Sequence, residues 1–173
     1  MQKTRFPAVI STFIVCFAFW LLLTWSIEIQ ELAAGAVVSL AVALFSARFF
    51  VHEKSFWLFN PVKFVNLLVY VLFIFPVELV KANWDVAKRC FGGCKNVNPG
   101  IVKVPVELES DYAQAMLANS ITLTPGTITM DITEEEGKTF YYIHWIDVAE
   151  TEPEKAGEAI KGKLEKGVRR VFK

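Results

Sequence analysis

Residues 60–91 read NPVKFVNLLVYVLFIFPVELVKANWDVAKRCF. Asn60 is a helix-capping residue type and Pro61 suits a first helical position, so the stretch opens as a helix. From Phe64 to Val77 it carries no charged side chain over 14 residues. Beyond Pro76 the pattern changes, and Glu78, Lys81, Asp85, Lys88 and Arg89 recur at spacings of three and four. Such spacings set alternating charges on one helical stripe. The breaker Gly92-Gly93 ends the run. About thirty residues at ~1.5 Å each make a helix of ~45 Å, longer than the ~30 Å hydrocarbon core of a bilayer. One helix thus has a lipid-like beginning and a water-like end, with Pro76 expected to kink it.

Upstream, the chain is more apolar still. No charge falls between Phe6 and Ile27, a run of 22, nor between Leu32 and Ala47, a run of 16. The first run is hydrophobic on every face and meets the ~20 residues a spanning helix needs. Trp20 and Trp25 sit toward its end, as in an interfacial aromatic belt. A cleaved leader with Lys3 and Arg5 as its basic region is the competing reading, but the run exceeds the usual ~7–15 apolar residues. The second segment is rich in small residues, and Gly35, Ser39 and Ala43 form a stripe that lets helix backbones approach closely in lipid. The short link between the two segments makes them an antiparallel hairpin.

The formal net charge of zero conceals a partition. Residues 1–90 hold 8 Lys and Arg against 5 Asp and Glu, whereas residues 91–173 hold 10 against 13. No basic excess exists to meet nucleic-acid phosphates, and 54% hydrophobic content excludes disorder. Three cysteines do not make a disulfide framework. Basic residues flank the hydrophobic segments at Lys3 and Arg5, at Arg48, Lys54 and Lys63, and at Lys81, Lys88, Arg89 and Lys95. The positive-inside rule asks for all three clusters in the cytoplasm. Three full crossings cannot satisfy it, so either one segment is re-entrant or shallow, or partner subunits override the rule. The largest cluster places the C-terminal half in the cytoplasm.

That half reads as a small α+β domain. Residues 101–108 alternate with β-branched side chains and form a strand, with Pro105 indicating an edge. Ser110 caps a helix over about 111–121 whose apolar side holds Ala113, Met116 and Leu117. Thr124-Pro125-Gly126-Thr127 places Pro and Gly where a type II turn needs them. Strands at 127–133 and 139–148 are joined by EEEGK. A final helix from Pro153 aligns Ala156, Ile160, Leu164, Val168 and Phe172. The second of these strands is apolar on both faces, so one face is expected against the membrane half or a partner. The expected architecture is a membrane α-helical region of three hydrophobic helices over residues 1–95, one of them re-entrant or shallow unless partner subunits override the rule, followed by a soluble β-α-β-β-α domain over 96–173.

Catalytic signals are weak. Cys90 and Cys94 are spaced C-x3-C, but a metal site would need two more ligands, and His52, His144 and Cys16 lie far away in sequence. No phosphate-binding loop, nucleophile elbow, zinc-protease or dinucleotide fingerprint occurs. Neither a catalytic centre nor a cofactor or metal is expected. Glu78 is the strongest ionisable candidate for an ion path, against the alternative of a local pair with Lys81. Asn66 is positioned to hydrogen-bond a neighbouring helix.

The string Leu117-Ala118-Asn119-Ser120-Ile121-Thr122-Leu123-Thr124-Pro125-Gly126-Thr127 resembles the signature of the E subunit of multisubunit cation/proton antiporters of the Mrp or Mnh type. The strings HWIDV at 144–148 and NPVKF at 60–64 are similar to that family too. The resemblance implies a non-catalytic integral subunit that supports assembly and Na+/H+ antiport. Its partners would be other antiporter-type membrane subunits and lipid, with the small domain at the cytoplasmic face of the cell membrane. It also implies that Asn119, Thr124, Pro125, Gly126 and Thr127 are the family-motif residues, whose residue types give them the role of a helix stop and a sharp turn. The CFGGC string and the Lys/Glu-rich final helix are not parts of that pattern. Similar subunits occur in archaeal membrane-bound hydrogenases and sulfur-reducing respiratory complexes, which is the alternative setting.

Overall fold

The structure is a computed structural model that describes residues 5–50, 60–93 and 97–173, with side chains described over 6–46, 60–93 and 97–173. The side chains of Lys3, Arg5, Arg48, His52, Lys54, Cys94 and Lys95 lie outside that description. Contacts cluster into two units, Met1–Pro61 and Val62–Lys173.

The first unit is a helical hairpin. Helix α1 spans Arg5–Thr24 and α2 spans Ile29–Phe50. Both are long and apolar enough to cross a membrane. Trp25, at φ 49°, begins the turn between them. Helix α2 starts three residues ahead of the uncharged run, which brings Glu31 into its first turn, where a carboxylate favours the helix dipole. The small-residue stripe packs as its spacing implies: Ser39 and Ala43 are buried, as are Ala8 and Ser11 on α1. A methyl group added at Gly35 would lie 2.4 Å from Cδ1 of Trp20, so only glycine leaves room for that indole. The indole Nε1–H donates to the Glu31 carbonyl at 3.1 Å, tying the top of the hairpin.

The second unit begins with the long third helix. Its α3 segment covers Pro61–Val69, a π-helical turn covers Tyr70–Ile74, and α4 covers Phe75–Phe91. Pro76 sits at the start of α4, and the wide turn just before it is how the helix accommodates a residue with no N–H to donate. The Phe75 amide closes the π turn onto the Tyr70 carbonyl. The domain follows in the expected order, with β1 at Gly100–Val106, α5 at Asp111–Leu123, β2 at Thr127–Glu135, β3 at Lys138–Trp145 and α6 at Pro153–Phe172. The sheet is antiparallel in the order β1-β3-β2, so β1, with Pro105, is an edge strand. Glu136 and Gly137 both have positive φ, as a two-residue hairpin turn that follows strand twist requires.

The core lies between sheet and helices. Val102, Val104 and Val106 of β1 and Tyr141 and Ile143 of β3 are buried, together with Ala113, Leu117 and Ile121 of α5 and Leu164, Val168 and Val171 of α6. The single apolar stripe expected on α6 is too narrow a description. Ile160 and Phe172 are only half-buried, whereas Gly157, Lys161, Gly162, Glu165 and Gly167 are buried. The reason is that α6 is a middle layer, packed on β1 and α5 on one side and on the π turn on the other. At this second seam Tyr70, 2% exposed, fits over Gly167, where an added methyl would lie 2.7 Å from the ring. The Tyr70 hydroxyl donates to Ser120 Oγ at 2.7 Å, and Ser120 passes a bond on to the Met116 carbonyl. Asn66 bonds a neighbouring helix as expected, but the helix is α6: its Nδ2 donates to the Arg170 carbonyl at 3.1 Å.

Overpacking at such a seam costs about 1–3 kcal/mol. Gly167→Ala should therefore lower the unfolding free energy of the solubilised protein by roughly that amount. In a Tyr70→Ala background the same change should cost much less, which a double-mutant cycle by thermal or denaturant unfolding reads directly.

Candidate functional site

The motif turn is held by its own hydroxyls. Thr124, buried at the end of α5, donates from Oγ1 to the Ile121 carbonyl at 2.7 Å. Thr127 Oγ1 bonds the same carbonyl at 2.8 Å and lies 3.1 Å from Thr124 Oγ1. These bonds satisfy carbonyls that the last turn of a helix leaves open. Gly126 has φ +94°, the conformation position three of a type II turn demands, and a methyl there would approach Ile146 Cγ2 to 3.0 Å. The Ile146 amide donates to the Gly126 carbonyl at 2.8 Å. The two strings that resemble one family, LTPGT and HWIDV, are thus in direct contact.

A groove of about 240 Å³ opens beside this contact. It brings together Thr124, Pro125, Gly126 and Thr127 with Glu78, Lys81 and Asp85 of α4. Asn66 and the exposed Asn119 do not line it. Within it Lys81 Nζ pairs with Glu78 Oε1 at 2.7 Å, and Lys163 of α6 stands 3.8 Å from the same oxygen. At the far end of α4, Arg89 pairs with Asp85 at 2.9 Å and also with Asp147, the acidic residue of HWIDV. The other oxygen of Asp147 accepts from the Asn98 amide at 3.1 Å. The chemistry available here is ion pairing and hydrogen bonding between elements. No nucleophile is set beside a base, and no group of three or more His, Cys, Asp and Glu forms a metal cluster among the described residues.

Sequence reasoning missed three residues that matter. Asp147 was readable only as part of a string, because its partner is 58 positions away. Lys161 and Glu165 look like a solvated i,i+4 pair, yet both are buried and hydrogen-bonded to each other. Glu165 also accepts the Glu107 amide at 2.7 Å, so the pair closes an open backbone group beyond β1. Burial, with the Glu165 charge adding to it, raises the Tyr141 phenol above its usual range; its hydroxyl donates to the Gln114 carbonyl at 2.7 Å. The signal for such burial lay in Gly157, Gly162 and Gly167, since glycines cost a helix about 1 kcal/mol each and mark close packing.

Among the described residues the other sheet face is only partly covered. Phe140, Tyr142 and His144 of β3 are half-buried, and Ile101 and Ile128 on either side are exposed. Lys103 reaches across this face to Glu135 at 2.6 Å and lies 4.4 Å from the Phe140 ring. The pair raises the Lys103 pKa and lowers that of Glu135. Cys90 is exposed with a free thiol.

Helices long and apolar enough to cross a membrane, joined to a small domain built of interlocked turns and ion pairs, define an integral membrane protein with an α+β domain. The model of the MNHE family, Na+/H+ ion antiporter subunit, matches residues 13–171, and the chain belongs to that family. It is 34% identical over 152 residues to the Na(+)/H(+) antiporter E subunit of Bacillus subtilis (strain 168), covering 88% of this chain and 90% of that one. It is 33% identical over 153 residues to the Na(+)/H(+) antiporter E1 subunit of Staphylococcus aureus (strain bovine RF122 / ET3-1), with the same coverage. A chain in the structure of the membrane-bound sulfane sulfur reductase, an archaeal respiratory membrane complex, superposes with a TM-score of 0.79 at 40% identity, over 98% of this chain and 99% of that one.

The turn geometry makes a graded prediction. Thr127→Val removes hydroxyl bonds worth about 1 kcal/mol each, whereas Thr127→Ser keeps them. Gly126→Ala, forced into positive φ, should cost about 1–3 kcal/mol. Melting of the solubilised protein should rank wild type and Thr127→Ser above Thr127→Val and Gly126→Ala.

Proposed function

We propose that this chain is a non-catalytic subunit of a multisubunit Na+/H+ antiporter module, supporting its assembly and ion transport, with other antiporter-type membrane subunits as partners. The observation that carries the reading is the family match across residues 13–171. The polar groups of the groove are matched to one another, which fits a scaffold better than a translocation path. The cytoplasmic placement of the α+β domain is supported by the basic cluster Lys81, Lys88 and Arg89. A second reading, the equivalent subunit of an ion-pumping sulfur-reducing respiratory complex, is favoured by one observation. Identity and coverage are higher against the sulfane sulfur reductase chain than against the antiporter subunits.

Purification through a tag on this chain, with identification of every co-purifying chain, separates the two settings. Antiporter subunits without redox subunits support the first; reductase-type subunits support the second. Isolation of the chain alone from its native membrane contradicts both. Glu78 in this reading anchors an ion pair. Such partly exposed pairs are worth about 0–1 kcal/mol. Glu78→Gln should therefore leave complex size and ion transport unchanged, and loss of transport with intact assembly would instead place Glu78 on an ion path.

A further inference from the structure

The third helix is long and apolar enough to cross a membrane, yet its apolar stretch is the part that packs on the α+β domain. Its contacts with α6 run in reverse order: Asn66 with Arg170, Tyr70 with Gly167, Glu78 with Lys163. Helix α6 therefore lies antiparallel along residues 66–78, and Arg89 continues the attachment at Asp147. The exposed side of α6 carries Lys163, Lys166, Arg169 and Arg170. If residues 64–77 spanned the hydrocarbon, these cations and an open sheet edge would go in with them. Each buried cation costs at least about 2.5–3.5 kcal/mol at the bilayer centre, and open strand edges do not occur in lipid.

The opposite side of the same helix is apolar and, among the described residues, exposed. Val65, Leu68, Leu72, Val80 and Trp84 are exposed, with Leu72 at 61% and Val80 at 67%. At the border between this face and α6 runs a groove in which Phe73 and Val77 adjoin four cations, Lys81, Lys163, Lys166 and Arg170, facing two carboxylates, Glu78 in its lining and Glu158, which pairs with Lys166 at 2.7 Å. An apolar strip edged by cations has the chemistry of the boundary between acyl chains and anionic headgroups.

We propose that the third helix lies along the membrane surface and does not cross it, with its Val65–Leu68–Leu72–Val80 face in the outer hydrocarbon and the cationic groove on anionic lipid headgroups. The α+β domain then stays in water on the other side of the helix. As a rule of sequence, two crossings can leave all the basic flanks on one side, as the positive-inside rule asks, whereas three cannot. The inference holds in either complex considered above, and its failure leaves family membership and proposed function untouched.

The test uses the intact complex in native membrane vesicles. Single cysteines are kept at native Cys90 or introduced as Val62→Cys, and vesicles of each orientation are treated with a membrane-impermeant maleimide. Both positions should react from the same side; reaction from opposite sides overturns the proposal. A spin label at Leu72→Cys then reports depth by its relative collisions with oxygen and with a polar nickel chelate. A depth of about 5–10 Å is expected for an interfacial helix. A label at the bilayer centre, or one shielded from both reagents by a protein neighbour, overturns it. In nanodiscs the label should be less mobile in phosphatidylglycerol-containing than in pure phosphatidylcholine bilayers, and Lys163→Glu/Lys166→Glu should abolish that difference. Equal mobility in both lipids overturns the headgroup assignment.

Discussion

The contact on which the second unit depends is the fit of Tyr70 over Gly167, where a ring from the most apolar helix of the unit meets the backbone of its most charged one. Neither partner makes sense alone. A glycine in the middle of α6 weakens that helix, and a phenol in a lipid-like run needs a polar partner for its hydroxyl. Together they let two helices approach closely and deliver the hydroxyl to Ser120 on α5. The π turn at Tyr70–Ile74 keeps the seam in line: by widening one turn ahead of Pro76 it holds Asn66, Tyr70, Ile74 and Glu78 on the domain side.

From that seam the rest of the unit is positioned. It sets α4 beside the motif turn, so that Lys81 and Glu78 border Thr124–Thr127, and it brings Arg89 to Asp147. Two strings that look unrelated along the chain, LTPGT and HWIDV, belong to the same packed assembly. The turn needs positive φ at Gly126, and the Asp147 carboxylate receives Arg89. The bonds these residues make are those of a turn and an ion pair.

Much of this was legible in the sequence, because the signals were local. The helix limits at Pro61 and Phe91, the Gly35–Ser39–Ala43 stripe, the β-α-β-β-α order, the edge position of Pro105 and the Gly126 turn all follow from periodicity or backbone chemistry. What was illegible was which face of a helix meets which neighbour. The apolar run 64–77 looks the same whether lipid or a folded domain covers one side of it. The Lys161–Glu165 pair looks solvated until α6 is seen to be covered on two sides. Asn66 could be read as a hydrogen-bonding residue, but its partner lies 104 positions away and carries no local mark.

The third helix and α6 form one packed unit. Disulfide formation tests it most directly. In a chain whose native cysteines are replaced, Tyr70→Cys with Gly167→Cys sets both thiols on the facing sides of the seam, whereas Leu72→Cys with Gly167→Cys puts one on the exposed face. Mild oxidation in native membranes should cross-link the first pair rapidly and leave the second reduced. Failure of the first pair to cross-link, or equal cross-linking of both, would contradict the account.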